Sequence, residues 1–162
     1  MTKFIEIDIM NMKYGLKNCI RKIKWSLQKS KRGYSDKDIW NIDLWFLDIM
    51  PRMLNQLKKT THSAPLIKGT TEITCHDKWK EILERMIFLL NEMDEDKCSY
   101  KNPFEEEFNS YIKEKYKGHL KKSNSDLEKL FYGEEQNKWN YINSCKKEFF
   151  DLFSKYFYYL WD

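Results

Sequence analysis

The sequence predicts an all-α protein, a compact bundle of about five helices forming a single helical domain over residues 1–162. Three observations carry this expectation. Helix breakers are scarce, with five Gly and three Pro in 162 residues. Lys, Glu, Leu, Ile and Phe recur at helical rather than alternating spacing. Aromatic residues reach 16%, enough to fill a core between helices.

Residues 4–9 are the exception, because Ile5, Ile7 and Ile9 alternate with Glu6 and Asp8. No partner strand is legible elsewhere, so the segment reads as a short extended or helical lead-in, with a strand as the second option. The first helix is expected from about Tyr14 to Ser30. Leu16, Ile20, Ile23 and Leu27 form a stripe at steps of three and four that should face the core. Gly33 supplies a stop able to take positive φ. Ser35 suits an N-cap, followed by Asp36 and Asp38 where the helix dipole favours negative charge. A second helix then carries Ile39, Ile42, Phe46, Ile49, Met50, Met53 and Leu57, with a kink or restart expected at Pro51.

Residues 60–76 read as a long loop. A third helix is expected from Asp77 to Met93 on the stripe Trp79, Ile82, Leu83, Met86, Ile87, Leu90 and Met93. Asn102 and Pro103 open a fourth, carrying Phe104, Phe108, Tyr111 and Ile112. Residues 118–126 look like a polar connector, and a helical turn at Leu127–Tyr132 should stop at Gly133. The last helix, Glu134 to Leu160, is strongly aromatic. Its rings cover more than half its circumference, so one face should be core and another should meet a partner, which points to a homo-oligomer.

Several function classes are excluded or disfavoured. No apolar run is long enough to span a membrane, so no membrane partner is expected. The N-terminus lacks the basic-then-apolar layout of a signal peptide, since Glu6 and Asp8 interrupt it. Cys19, Cys75, Cys98 and Cys145 are widely spaced and read as reduced thiols of a cytoplasmic protein. Cys75-His76-Asp77 is compact but lacks a second pair of ligands, so no metal is expected. No catalytic motif or cofactor fingerprint appears; the protein reads as a non-enzyme without cofactors.

The most informative stretch lies between residues 13 and 32. It holds Lys13, Lys17, Arg21, Lys22, Lys24, Lys29, Lys31 and Arg32 and no acid, and it abuts the acidic start of the second helix. Such a surface can hold an anion, a nucleotide or an acidic partner. Trp25 points away from the apolar stripe, among these cations. Coverage by another helix or subunit is the first reading, and stacking on a base the second. Asp43 falls within the apolar sector of the second helix and should be a buried structural acid paired with Arg21 or Arg32. A net charge of +4 is small for duplex binding and no recognition helix is evident, so nucleic acid is not favoured.

The segment Arg32-Gly33-Tyr34-Ser35-Asp36-Lys37-Asp38-Ile39-Trp40 resembles the R-G-Y-x-D-x-D-x-W signature of a family of small uncharacterised bacteriophage and prophage proteins. The amphipathic helix interrupted by Pro51, the helix begun by Trp79 and the ending Phe157-Tyr158-Tyr159-Leu160-Trp161 extend the similarity. The family transfers no activity and no catalytic residue. It implies a class, small phage accessory proteins that act by binding. The leading expectation is a non-enzymatic protein of the host cell cytoplasm that counters antiviral defence by sequestering a nucleotide-type signal. Arg21, Lys24, Trp25, Arg32, Tyr34 and Trp40 would supply its stacking rings and fixed cations. The alternatives are direct inhibition of a host defence nuclease or effector, and a structural or regulatory phage helper.

Overall fold

The computed structural model describes the backbone of residues 2–67, 72–117 and 125–161; within these, the side chains of residues 2–14, 16 and 72–74 are not described. Six α-helices and no strand occur among the described residues: α1 (Thr2–Arg32), α2 (Asp36–Trp40), α3 (Ile42–Thr60), α4 (Glu72–Met93), α5 (Glu105–Tyr116) and α6 (Ser125–Tyr156). A single 3₁₀ turn, Phe157–Tyr159, follows. The protein is all-α. None of the described helices is long and apolar enough to cross a membrane. The chain divides into two compact units, residues 1–46 and 47–162.

In the first unit the strand option for residues 4–9 is overturned: the segment belongs to α1, which runs unbroken from Thr2. Ile5 and Ile9 also fit a helical step of four, and with no second strand to bond, the helix satisfies the backbone locally. Gly33 takes φ 81°, and its amide donates to the Lys29 carbonyl at 2.9 Å, closing α1 as expected. The second helix is not one helix kinked at Pro51. It breaks at Asn41 (φ −139°, ψ 73°), and α3 restarts at Ile42 and passes through Pro51. The Asn41 carbonyl accepts the Trp45 amide at 3.0 Å and so opens α3.

The second unit owns the core. Trp79, Leu83, Met86, Leu89 and Leu90 of α4 are fully buried, as is Phe149 of α6, and Trp79 meets Tyr156 with ring centroids 5.5 Å apart. The predicted α4 stripe thus packs as read, chiefly against α6. Arg85 spans the same pair of helices, both its Nε and a terminal amino group donating to Glu148 at 2.7 Å. Helix α5 closes a smaller cluster in which Phe108 and Tyr111 join Leu127, and Phe108 stacks on Phe131 at 3.9 Å. Asn102 holds the entry to α5: its side-chain oxygen accepts the Phe104 amide at 2.9 Å, and its amide group donates to Glu135.

Helix α4 starts at Glu72 rather than Asp77, so less of residues 60–76 is loop than expected; residues 68–71 lie outside the described ones. The same holds for 118–124, most of the expected polar connector. The predicted stop at Gly133 does not occur, and α6 runs straight through it. A β-carbon added at Gly133 would meet nothing within 4 Å. Gly133→Ala should therefore stabilise the protein by about 1 kcal/mol through helix propensity alone. A thermal melt should show a rise of roughly 2–4 °C; a fall would mean that the helix is not regular there.

Candidate binding surface

The signature segment folds as a polar clasp on one side of α1. Gln28 is its pin: its amide group donates to the Asp36 carboxylate at 2.6 Å, and its carbonyl oxygen accepts the Asp36 amide at 2.9 Å. Arg32 pairs with Asp36 across the non-helical link of residues 33–35 and donates from Nε to the Tyr34 carbonyl at 3.1 Å. Lys24 reaches Asp36 and Lys29 reaches Asp38, each at 3.3 Å. Both the amide and the hydroxyl of Ser35 donate to Asp38, at 2.7 and 2.8 Å, and Ser35 is buried.

These partners set the charges. The hydrogen bonds from Gln28, then from Arg32, bring the Asp36 carboxyl down to about 2. Burial alone would raise Asp38, but the Ser35 amide and hydroxyl and then Lys29 outweigh it and hold the carboxyl below its usual range. Both acids are thus firmly anionic at neutral pH.

The clasp decides where the six predicted ligand residues stand. Arg21 donates to Asn18 at 2.7 Å and lies over the Trp25 ring, 5.1 Å from its centroid. Lys37 faces the same ring at 5.9 Å, and Trp25 is half-buried. Lys24 and Arg32 are engaged by Asp36. Tyr34 sits beneath the Arg32 guanidinium at 4.7 Å, and Trp40 is 86% exposed. All six lie on the first unit, and of the hollows lined by described residues one holds Tyr34 and another Lys24. A hollow of about 290 Å³ is lined by Tyr34, Asp38, Ile39, Ile42 and Trp45, of which only Tyr34 was predicted and none is cationic. Three cations of the stretch, Lys24, Lys29 and Arg32, pair with the two acids that follow it, a pairing the sequence does not display.

Two further expectations are corrected. Asp43 is exposed, not buried, and makes no ion pair with Arg21 or Arg32. The break at Asn41 re-phases the helix, placing Asp43 in the first turn of α3, where water and the helix dipole accommodate its charge. Three residues of the predicted core stripe of α1 are exposed as well, Ile20, Ile23 and Leu27 at 59, 57 and 58%, and the Leu16 side chain lies outside the described ones. It is the polar side of α1 that meets α2, through Lys24, Gln28, Lys29 and Arg32.

Sequence reasoning thus missed the surface now most evident on the first unit. An open groove along α1 is lined by Ile20, Ile23, Leu27, Lys24, Gln28 and Lys31. Ile39, Trp40, Ile42 and Leu44 are also exposed, and no apolar side chain among the described residues 15–46 is buried. The spacing of the stripe was legible, but its lack of a cover was not.

In the second unit, Cys75 and His76 do not assemble a metal site. The Cys75 thiol donates to the Pro65 carbonyl at 2.7 Å, and His76 Nε2 lies 3.1 Å from the Thr61 carbonyl, so both tie residues 61–67 to α4. No cluster of potential metal ligands occurs among the described residues. All four cysteines are free. The outer face of the C-terminal region exposes Phe150, Phe157, Tyr158 and Trp161. No protein-family model, curated protein or solved structure matches this chain.

Proposed function

We propose that this chain is a non-enzymatic binding protein of the phage type that counters bacterial defence by attaching directly to a host protein through its first unit. One observation carries the reading: residues 15–46 bury no described apolar side chain while at least seven large ones stand open to solvent. A helix pair held by exposed ion pairs gains little stability from them, each being worth about 0–1 kcal/mol. Apolar surface of this extent on a polar scaffold marks an interaction site. The resemblance of residues 32–40 to phage accessory proteins supplies the biological class.

The test is co-purification of the tagged chain from the bacterial host, then reconstitution of the complex from purified components. Wild type should bind the identified protein and protect an infecting phage, and Ile23→Asp should lose both. Protection that survives Ile23→Asp, or that proceeds with no stable host complex, would sink this reading.

Sequestration of a nucleotide-type signal is the second reading, favoured by the Arg32–Tyr34 stack and by the open Trp40 ring on the same unit. It ranks lower because a phosphate would have to displace Asp36 from Lys24 and Arg32. A thermal-shift panel of nucleotides decides it. A shift abolished by Trp40→Ala, whose ring supports nothing in the fold, would promote this reading over direct attachment.

A further inference from the structure

Within the first unit, Ile20, Ile23 and Leu27 are separated by steps of three and four, so at 100° per residue they share a strip roughly 60° wide. In sequence the same steps run back through Leu16, Met12, Ile9 and Ile5 along a helix of 31 residues, roughly 45 Å long. A strip this narrow is the width of a helix–helix seam, whereas helices that pack on a broad core show an apolar face of about 100° or more. It also differs from a membrane-lying helix, which carries its large aromatic residues on the apolar side. Here Trp25 projects on the opposite side, between Arg21 and Lys37.

The edges of the strip are unequal. Lys17, Lys24 and Lys31 recur every seven residues along one edge, all exposed; Cys19, Ser26 and Ser30 occupy the other, also exposed. Lys17 and Lys31 form no ion pair among the described residues, whereas Lys24 shares Asp36. A second copy of α1 would be a poor occupant. Antiparallel pairing sets lysine edge against lysine edge, and parallel pairing sets lysines against cysteine and serine. Seam charges select the partner, and this edge selects carboxylates.

We infer that the α1 seam receives an amphipathic α-helix of a partner protein, with aliphatic residues at heptad spacing and Asp or Glu along the edge that meets Lys17 and Lys31. This inference rests on the reading of the chain as a protein binder and specifies the chemistry of what it binds. Knobs from the incoming helix enter between Ile20, Ile23 and Leu27, and its carboxylates meet the exposed ammonium groups of Lys17 and Lys31.

The experiment uses the full chain and two fluorescent synthetic helical peptides. Both carry Leu and Ile at seam positions; one has Glu and the other Lys at the flanking positions. Anisotropy titrations should show the Glu peptide binding at least about tenfold tighter than the Lys peptide, a difference of about 1.4 kcal/mol. Raising the salt should narrow the gap. The double variant Lys17→Glu/Lys31→Glu should reverse the preference, and Ile23→Asp should abolish binding of both peptides with helicity by circular dichroism unchanged.

Equal binding of the two peptides overturns the inference, as does Glu-peptide binding that Ile23→Asp leaves intact. Failure of both peptides to bind, with the seam covered by residues 47–162, overturns it too. Two other occupants would replace it. One is a second copy, seen as self-association that Ile23→Asp dissolves. The other is an anionic phospholipid vesicle that sediments the wild type but not Ile23→Asp. If a captured host protein depends on Ile23 while the peptides do not discriminate, the helical chemistry fails and the binder reading stands. If the peptides discriminate but no host protein is engaged, the reading fails and the seam stands.

Discussion

Trp79→Ala is expected to destabilise the protein by about 3–5 kcal/mol, a large share of the 5–15 kcal/mol typical of a folded domain. Trp79 is fully buried on α4, its ring lies against Tyr156, and it continues the buried stripe of Leu83, Met86 and Leu90. Truncation removes the largest side chain at the packed pair of α4 and α6 and leaves a cavity that rigid helices cannot close. Urea unfolding followed by far-UV circular dichroism should show a clearly lowered midpoint, and Trp79→Phe should fall between the two. A midpoint within error of wild type would contradict the α4–α6 packing.

The second large effect is expected at Glu92, a nearly buried carboxylate on α4. One of its oxygens accepts the Ser99 amide at 3.0 Å, the Ser99 hydroxyl at 2.7 Å and the Tyr141 hydroxyl at 3.0 Å. This cluster fastens the turn after α4 to α6. Burial alone would raise the Glu92 carboxyl, but the three donors outweigh it and hold the carboxyl below 4.5. Burial and the neighbouring carboxylate in turn push Tyr141 up to about 12, so it stays a donor at every working pH.

Hydrogen bonds to a charged group are worth about 1.5–3 kcal/mol, so Glu92→Ala should cost about 2–4 kcal/mol at pH 7 after partial solvation of the freed donors. The sign of the pH dependence follows from the depressed carboxyl. Its contribution is complete above pH 4.5, where the unfolded group is also ionised, and is lost as pH falls through the lower folded value. Urea midpoints of wild type and Glu92→Ala should therefore converge below pH 4.5. A gap that stays constant or widens with acidification would mean that the charge on Glu92 is not what the donors hold.

The helices of the second unit were legible because their apolar stripes do in the fold what their spacing suggests: Trp79, Leu83, Met86 and Leu90 are buried together. The errors there were local. Gly133 looked like a stop, but a glycine costs only about 1 kcal/mol in a helix and the packing of Phe131, Ile142 and Phe149 on either side outweighs it. In the first unit the residues of interest were found, but their arrangement was read inside out. The spacing of Ile20, Ile23 and Leu27 marks an apolar stripe, and no local rule says what covers it.

The sequence by itself determined that this protein is helical, where Gly33 ends the first helix and which face of α4 is apolar. Those properties are set by backbone sterics and by periodicity within a few residues. Only the tertiary structure decided that Lys24, Lys29 and Arg32 pair with Asp36 and Asp38, that Asp43 lies in water and that, within the first unit, Ile20, Ile23 and Leu27 are left uncovered. Charge pairing and burial depend on which surfaces meet in space. Asp43 lies in water because Ile39, Ile42 and Leu44 around it are exposed as well, so its helix has no buried face there.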